Sequence, residues 1–325
     1  MSKKLKNKSL FVAVNLILIL VILYSGLRIL ESTIFFKEQG EEEIISRVIV
    51  RDGISFYPRK DITILLIMGI NQSGKVEKTE YNHGGAADMV TLVVFDENSQ
   101  KYDFLSLNRD MMVNMPMLTN SGREAGTYYG QLAYSHTYGD GMKDSCENVR
   151  KTVSNLLYGI EVDYYLSMNI DTISTVNDAV GGVTVNIIDD FSAVDPDLPM
   201  GEVTLLGKQA VTFVQTRWNV GDELNLSRME RQKEYMDNFV PVFLDKMREN
   251  TAFVTELYEQ VSDYIVTDCS IQVLDRLQKD YGGFSMGEIL SVPGENVLGE
   301  TYYEFYPDEE ALDNLIIDMF YSEIP

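Results

Sequence analysis

Short apolar runs, separated by turn-forming residues, recur along the chain from about residue 60 onward. Runs of four to eight apolar residues bounded by turn signals are typical of buried strands. The first run, ITILLI at residues 62–67, ends in Met-Gly, and the turn DENS at residues 96–99 separates the next two. The predicted strands are residues 62–67, 89–95, 102–107, 164–169 and 183–188, with a further strand near residues 289–292.

Between these runs, apolar residues recur at three- and four-residue spacing, which predicts helices. Ser227 and Glu230 form a capping-box pattern, so a helix is predicted to begin at Ser227, and Pro241 predicts a kink in it. The other predicted helices are residues 145–157, 171–180, 206–215, 252–264, 271–280 and a terminal helix from residue 308. Strands and helices alternate without repeats, which predicts one α/β domain from about residue 59 to the end.

The N-terminal segment has the pattern of a membrane anchor. Residues 10–27 are 18 residues without a charge, close to the ~20 that cross a bilayer core. Four lysines precede this run, which predicts a cytoplasmic N-terminus and an extracytoplasmic remainder. The alternative is a cleaved secretory signal. We therefore predict a cytoplasmic tail (residues 1–9), a transmembrane anchor (10–30), a juxtamembrane stalk (31–58) and an extracytoplasmic domain (59–325).

The charge of the chain limits its partners. It has 50 acidic and 27 basic residues, a net charge of −23. Nucleic-acid-binding proteins carry a basic face, so we expect no nucleic-acid partner. An anionic ligand would need a local basic pocket, because the overall field repels it.

Cysteine and histidine are scarce, which limits metal and redox chemistry. The two cysteines, Cys146 and Cys269, and two histidines, His83 and His136, form no CxxC or HExxH pattern. A structural zinc site is therefore not expected. Two buried free thiols are preferred over one disulfide.

Residues 217–232 (RWNVGDELNLSRMERQ) concentrate positive charge in this acidic chain. Arg228, Arg231 and Gln232 have the i, i+3, i+4 spacing that makes side chains neighbours on a helix. Cations near a helix N-terminus interact unfavourably with the helix dipole. An anion bound there would interact favourably with both the dipole and the cations. The alternative is a solvated helix start whose arginines pair with Asp222, Glu223 or Glu234.

Residues 71–87 form a long loop that is typical of a site loop or lid.

Several segments, taken together and in order, resemble the LytR-CpsA-Psr family of bacterial cell-envelope proteins. The resemblance covers roughly residues 60–325. The segments that carry it are ILLIMGIN (64–71), Asp88 followed by MVTL, LSLNRD (105–110) with Arg109, DAVGGV (178–183), and Arg217, Arg228, Arg231 and Gln232.

The resemblance implies an αβα sandwich with a mixed central sheet. It also implies transfer of a glycopolymer from a polyprenyl-pyrophosphate carrier onto peptidoglycan through a phosphodiester bond. Asp88, together with Asn71, would hold Mg²⁺ (or Mn²⁺) and, with Arg109, act in catalysis. The pyrophosphate clamp would consist of Arg109, Arg217, Arg228, Arg231 and Gln232.

Some positions depart from the family's pattern. Asn71 replaces a metal-side aspartate, Ala86 replaces an arginine, and Gln215 replaces the first arginine of an Arg-x-Arg pair. A basic residue is also missing near residues 128–134, where Gln131 is an additional candidate contact, as is Gln215. These departures keep two alternatives open: a non-catalytic envelope protein that binds the lipid-linked polymer, and a pyrophosphate hydrolase. His83 and Asp110 are candidate proton acceptors, and the sequence does not single out a general base.

Overall fold

A computed structural model of the chain describes residues 48–221 and 225–323. The predicted cytoplasmic tail, the anchor and the first part of the stalk lie outside these residues. Within the described part of the chain, no helix combines the length and the apolar character needed to cross a membrane.

The chain divides into two compact units. In the smaller one, strands β1 (Ile49–Arg51), β2 (Ile54–Pro58) and β15 (Tyr321–Glu323) form an antiparallel sheet in the order β1-β2-β15. The end of the predicted stalk is therefore a strand pair, not an isolated linker. The larger unit is Arg59–Phe320.

The larger unit is built on a mixed sheet of six strands in the order β11-β8-β3-β4-β5-β12. Strands β8 and β12 run parallel to β3 and β5, and the other neighbours are antiparallel. The predicted mixed central sheet is thus confirmed. Its strands are β3 (Ile62–Ile70), β4 (Ala87–Asp96), β5 (Lys101–Leu107), β8 (Tyr164–Asn169), β11 (Ile265–Thr267) and β12 (Ser285–Ser291).

Among the described residues of the larger unit, three two-stranded sheets lie outside the central sheet. They are β6 (Met112–Leu118) with β7 (Glu124–Gln131), β9 (Val183–Ile187) with β10 (Gly201–Leu205), and β13 (Gly294–Leu298) with β14 (Tyr303–Pro307). The helices are α1 (Tyr134–Thr137), α2 (Lys143–Leu156), α3 (Thr172–Ala179), α4 (Lys208–Gln215), α5 (Asn225–Glu249), α6 (Phe253–Val261), α7 (Ile271–Tyr281) and α8 (Glu309–Phe320).

Helices cover both faces of the sheet, as alternation along its strands requires. On one face, the Cys146 thiol of α2 hydrogen-bonds Ser167, and Arg150 Cζ lies 5.5 Å from the ring centroid of Tyr165. On the other face, Val240 of α5 packs with a cluster that includes Leu65, Ile67, Val93 and Phe104. Both cysteines are buried free thiols, as predicted.

Helix α5 begins at Asn225, two residues before the predicted start. The capping-box prediction is therefore wrong, since Ser227 lies inside the first turn. Helix ends depend on hydrogen bonds from the preceding loop, so a capping pattern fixes them only to within one or two residues. Arg228 and Arg231 keep their one-turn spacing. Pro241 lies within the helix, as expected.

Candidate functional site

One edge of the central sheet brings together the start of β4 and the end of β5. The two strands are antiparallel, with Val90 opposite Leu107, so residues just before Val90 meet those just after Leu107. A β-bulge shapes this edge: Gly69 pairs with Met89 and Ile70 pairs with Ala87, which leaves Asp88 as the extra residue. Bulges re-aim side chains, and this one presents Asp88 to the chain that follows β5.

Arg109 connects two carboxylates at this edge. Its Nη1 donates a hydrogen bond to Asp88 Oδ1, and its Nε donates one to Asp110 Oδ1 at 3.2 Å. Gln131 Nε2 donates to the same Asp110 oxygen at 3.0 Å. A guanidinium and an amide therefore orient Asp110, while Asp88 orients the guanidinium.

Backbone hydrogen bonds fix the Arg109-Asp110 segment. Ala133 N donates to Arg109 O at 2.9 Å, Phe305 N donates to Asp110 O at 2.9 Å, and Leu132 N donates to Met111 O at 2.8 Å. The residues after β7 and strand β14 thus hold this loop. A loop with its backbone groups paired in this way can keep charged side chains in one geometry.

Two further arginines belong to the same cluster of charges. Burial lowers the pKa of Arg228; Asp88 and Asp110 act to raise it, and Arg109 and Arg217 lower it further. These effects place Arg228 near each of the other four side chains. Three arginines face two aspartates, so this part of an acidic chain carries a local excess of positive charge. We call these five residues the charge cluster.

Asp110 is the carboxylate of the charge cluster with a raised pKa. Burial is the main cause; the charges of Arg109 and Arg228 act in the opposite direction, and the neighbouring Asp88 adds to the rise. A desolvated carboxylate with a raised pKa is a better proton acceptor than an exposed one. The structure therefore distinguishes Asp110 from His83, which is exposed on the loop before β4.

An exposed aromatic ring borders the cluster. Arg217 Cζ lies 5.1 Å from the ring centroid of Trp218, within the range of a cation–π contact. Trp218 is 64% exposed. The sequence pattern did not single out this residue, although it is the chain's one tryptophan and follows a candidate arginine.

Arg231 and Gln232 have other contacts. Arg231 is 4% exposed; its Nε donates to Phe213 O at 3.2 Å, its Nη2 to Thr216 O at 2.5 Å and its Nη1 to Asp189 Oδ2 at 2.6 Å. The Arg231 guanidinium also lies 5.5 Å from the Phe191 ring centroid. These bonds fasten the end of α4 to α5, immediately before Arg217. Arg231 and Asp189 are 42 residues apart in the sequence, so no local sequence pattern could predict that they pair.

Three other predicted residues lie outside these contacts. Gln232 Nε2 donates to Val214 O at 3.0 Å, and Gln215, the last residue of α4, is exposed. Asn71 is exposed just after β3, where its backbone N donates to Ala86 O at 3.0 Å. The structure thus groups Asp88, Arg109, Gln131, Arg217 and Arg228, with Asn71 at the adjoining strand end.

The donor set at the edge fits a magnesium ion that takes most of its ligands from phosphate and water. In residues 48–221 and 225–323, no three histidine, cysteine or acidic side chains are grouped closely enough to hold a metal ion. Magnesium usually keeps several waters and binds one or two carboxylates plus substrate phosphates. Asp88 supplies such a carboxylate, and the Asn71 amide oxygen is a neutral hard donor at the neighbouring strand end.

The loop predicted at residues 71–87 as a site loop or lid ends one residue earlier, because β4 begins at Ala87, and it is attached to the unit at several points. Thr79 N donates to Asp140 O at 2.8 Å, and Lys78 Nζ pairs with Asp140 Oδ2 at 3.2 Å. Gly85 O contacts Nδ1 of the buried His136 at 2.8 Å. Burial lowers the pKa of His136 to about 4, so this imidazole is neutral near pH 7.

Comparison with known proteins places the chain in a family. The model of the LytR_cpsA_psr (LytR-CpsA-Psr) family matches residues 37–319, most of the chain. The chain belongs to the LytR-CpsA-Psr family. The predicted resemblance to this family is therefore confirmed.

Curated LytR-CpsA-Psr relatives carry the name polyisoprenyl-teichoic acid–peptidoglycan teichoic acid transferase. TagU of Oceanobacillus iheyensis is 27% identical over 266 residues, which cover 78% of this chain and 74% of TagU. TagV of Bacillus subtilis is 29% identical over 71% of this chain and 58% of TagV. TagU of Bacillus subtilis is 24% identical over 84% of this chain and 82% of that protein.

Solved structures share the fold of this LytR-CpsA-Psr chain. Bacillus subtilis TagV matches with a TM-score of 0.60 at 24% identity, covering 80% of this chain and 96% of TagV. Protein gbs0355 of Streptococcus agalactiae matches with a TM-score of 0.64 at 21% identity, covering 80% and 88%. TagT bound to LI-WTA matches with a TM-score of 0.58 at 22% identity, covering 80% and 90%. These likenesses show the fold.

Proposed function

We propose that this chain is a membrane-anchored transferase that moves a glycopolymer from a polyprenyl-pyrophosphate carrier onto peptidoglycan, forming a phosphodiester bond. The domain would act outside the cell membrane, held by one transmembrane segment with a cytoplasmic N-terminus. The names of the relatives support the substrate class, and the observation that carries the proposal is the charge cluster. Arg109 and Arg217 both lie close enough to Arg228 to repel its charge, in a chain of net charge −23.

The arginines fit a pyrophosphate because charge develops on its oxygens during phosphoryl transfer. Guanidinium groups already in position stabilise that charge without reorganising. Burial disfavours the charged form of Arg228, and Arg109 and Arg217 add repulsion. A bound dianion would relieve this repulsion, so the cluster is better satisfied with the donor than without it.

In the transfer step, a hydroxyl oxygen of the acceptor attacks the phosphorus next to the polymer. The bond from that phosphorus to the bridging oxygen breaks, polyprenyl phosphate leaves, and the hydroxyl proton passes to Asp110. Arg109 and Gln131 hold Asp110 in position for this transfer. A magnesium ion held by Asp88 and Asn71 would neutralise pyrophosphate charge as a Lewis acid.

A second candidate is a non-catalytic protein that binds the lipid-linked polymer. The observation in its favour is that Ala86 and Gln215 carry no positive charge at positions where the resemblance implies arginines. The retained arginines would then hold the pyrophosphate without turnover.

The test uses the purified full-length chain in detergent with a polyprenyl-pyrophosphate-linked oligosaccharide, magnesium and peptidoglycan fragments. We expect acceptor-dependent release of polyprenyl phosphate, lost in Arg109→Ala. Tyr158→Ala, an exposed tyrosine after α2, is the matched surface control and should retain activity. Release without an acceptor would indicate a hydrolase, and tight donor binding without release would indicate the non-catalytic alternative.

A further inference from the structure

Two exposed hairpins border the charge cluster. Strands β7 and β14 are linked through the cluster itself, because Gln131 Nε2 donates both to Asp110 and to Tyr303 O, the latter at 2.7 Å. Phe305 N in β14 donates to Asp110 O. Any ligand lying on these hairpins would therefore be next to the Asp110 carboxylate.

Four tyrosines gather beside these hairpins: Tyr128 lies in β7, Tyr134 in α1, Tyr138 just after α1, and Tyr302 between β13 and β14. Tyr128 and Tyr138 have ring centroids 5.9 Å apart in an edge-to-face arrangement. Burial raises the pKa of Tyr138, and the nearby Tyr128, Tyr302 and Tyr134 raise it further. The pKa of Tyr302 is raised by burial and then by Tyr128 and Tyr134. We call Tyr128, Tyr134, Tyr138 and Tyr302 the tyrosine surface.

A glycine makes room for the first of these rings. A Cβ added at Gly130 would come within 2.5 Å of Tyr128 Cε1, so only glycine lets this ring lie over the strand. The ring nevertheless stays 41% exposed, and Tyr302 is 42% exposed. A ring held in place by its own strand and left open to solvent loses little entropy when it binds a ligand.

The tyrosine surface continues directly into the site. Tyr134 follows Ala133, whose backbone N donates to Arg109 O. Tyr302 precedes Tyr303, whose carbonyl accepts from Gln131. Residues adjacent to Tyr134 and Tyr302 are thus hydrogen-bonded, directly or through Gln131, to the segment that carries Asp110, the proposed proton acceptor.

The chemistry of this surface favours an uncharged polar ligand with flat apolar faces. Tyrosine combines an apolar ring with a hydroxyl that can hydrogen-bond. Strands β7, β13 and β14 contain no lysine or arginine, and Glu304 lies beside Tyr302. An anionic polymer or an anionic membrane would be repelled, whereas pyranose rings present C–H faces to stack on tyrosine rings and hydroxyls to bond their oxygens.

We propose that the tyrosine surface binds the glycan strand of the acceptor and directs one of its hydroxyls toward Asp110. This inference rests on the proposed transfer function, since it names the surface that the second substrate uses. The charge cluster would hold the anionic donor, and the uncharged tyrosine surface would hold the acceptor sugars. The two substrates are thereby separated by charge.

The test is binding of chitohexaose, an uncharged oligosaccharide of N-acetylglucosamine, to the full-length chain in detergent without donor. We expect the double variant Tyr128→Ala/Tyr302→Ala to bind about 5- to 150-fold more weakly, because both aromatic faces that contact the sugar rings are lost. The matching phenylalanine double variant keeps the rings and should stay within about threefold of the unaltered chain. Tyr158→Ala removes an equally exposed tyrosine (42%) and should not change binding. Thermal unfolding of each variant shows that the fold is retained.

The inference is overturned if the unaltered chain does not bind chitohexaose saturably, or if the alanine double variant binds it as tightly. It is also overturned if the double variant loses only association with anionic vesicles. Binding of geranylgeranyl pyrophosphate to the same preparations separates the two proposals. If the unaltered chain binds chitohexaose through the tyrosines but does not bind geranylgeranyl pyrophosphate, the transferase proposal is rejected and glycan binding stands. If it binds geranylgeranyl pyrophosphate but shows no tyrosine-dependent binding of chitohexaose, only the tyrosine surface is rejected.

Discussion

Arg228 and Arg231 lie one helical turn apart, and the structure gives them different partners. Arg228 belongs to the charge cluster, whereas Arg231 donates to two backbone carbonyls and to Asp189. Replacing each arginine by methionine, which has a similar length and no charge, separates ligand binding from stability. We predict that Arg231→Met chiefly destabilises the fold and Arg228→Met chiefly weakens donor binding.

The magnitudes follow from burial and partners. Removing one partner of a buried ion pair costs ~3–5 kcal/mol. The Asp189 side chain is 17% exposed and keeps some hydration, so we take the lower end for Arg231→Met, about 3 kcal/mol. Each kcal/mol lowers Tm by about 2–4 °C in a unit of this size, so Tm should fall by about 6–12 °C.

Arg228→Met should behave in the opposite way. Burial and the adjacent arginines oppose the charge of Arg228, so its removal should change stability by no more than about 1 kcal/mol. Losing one charge-assisted contact to pyrophosphate costs ~1.5–3 kcal/mol, which weakens donor binding about 10- to 150-fold.

Urea unfolding and titration with geranylgeranyl pyrophosphate measure the two effects on the same preparations. Lys233→Met, an exposed residue on the same helix, is the control for loss of a positive charge. Should Arg231→Met unfold like the unaltered chain yet lose donor binding, Arg231 would be a clamp residue and the structural role argued from its hydrogen bonds would be wrong.

Three further predictions concern single side chains. In the proposed transfer step, Asp110 accepts the proton in its ionised form, so turnover should rise with pH through its raised pKa. In a pH–rate profile, Asp110→Asn should abolish that rise and lower turnover roughly 10²- to 10⁴-fold, and an unchanged profile would exclude Asp110 as the base. The folded-state pKa of His136, about 4, lies below its usual 6.5, so the unfolded chain binds the proton more tightly. The free energy of unfolding should therefore fall by about 3 kcal/mol as the pH drops from about 6.5 through 4. Urea unfolding of His136→Gln should lack this contribution, and the same pH dependence in the variant and the unaltered chain would contradict the prediction. Gln215→Arg should tighten geranylgeranyl pyrophosphate binding about 1.4- to 5-fold in titrations, because an exposed cation adds only ~0.2–1 kcal/mol. Weaker binding would refute a clamp position there.

The sequence predicted the central sheet well because its strands have distinctive composition. Five of its six strands overlap runs predicted from the sequence, and the residues predicted at 164–169 coincide with β8. The ordered sequence segments also identified Asp88 and Arg109, which lie at the ends of predicted strands. Strand ends are defined by neighbouring residues in the sequence, so a local pattern can predict them.

The hairpins and the pairings of the site could not be predicted in the same way. Strand β7 (EAGTYYGQ) is exposed over its first six residues and has no apolar alternation, so it carries no strand signal. The contact of Gln131 with Asp110 depends on where that hairpin docks. The prediction that Arg231 belongs to the clamp was made without knowledge of its ion pair with Asp189. Asp189 follows β9 and is distant in sequence, so no local pattern indicates this contact.

The bulge at Asp88 also separates two kinds of constraint on this chain. Side chains along a strand alternate between faces, so one inserted residue normally reverses every position that follows. Here the extra residue takes up that reversal at the start of β4, and Val90, Leu92 and Val94 remain buried. The bulge thereby lets Asp88 face the site while the residues that follow it keep their places in the core. Deleting the extra residue would turn either the carboxylate or the buried valines to the wrong face of the sheet.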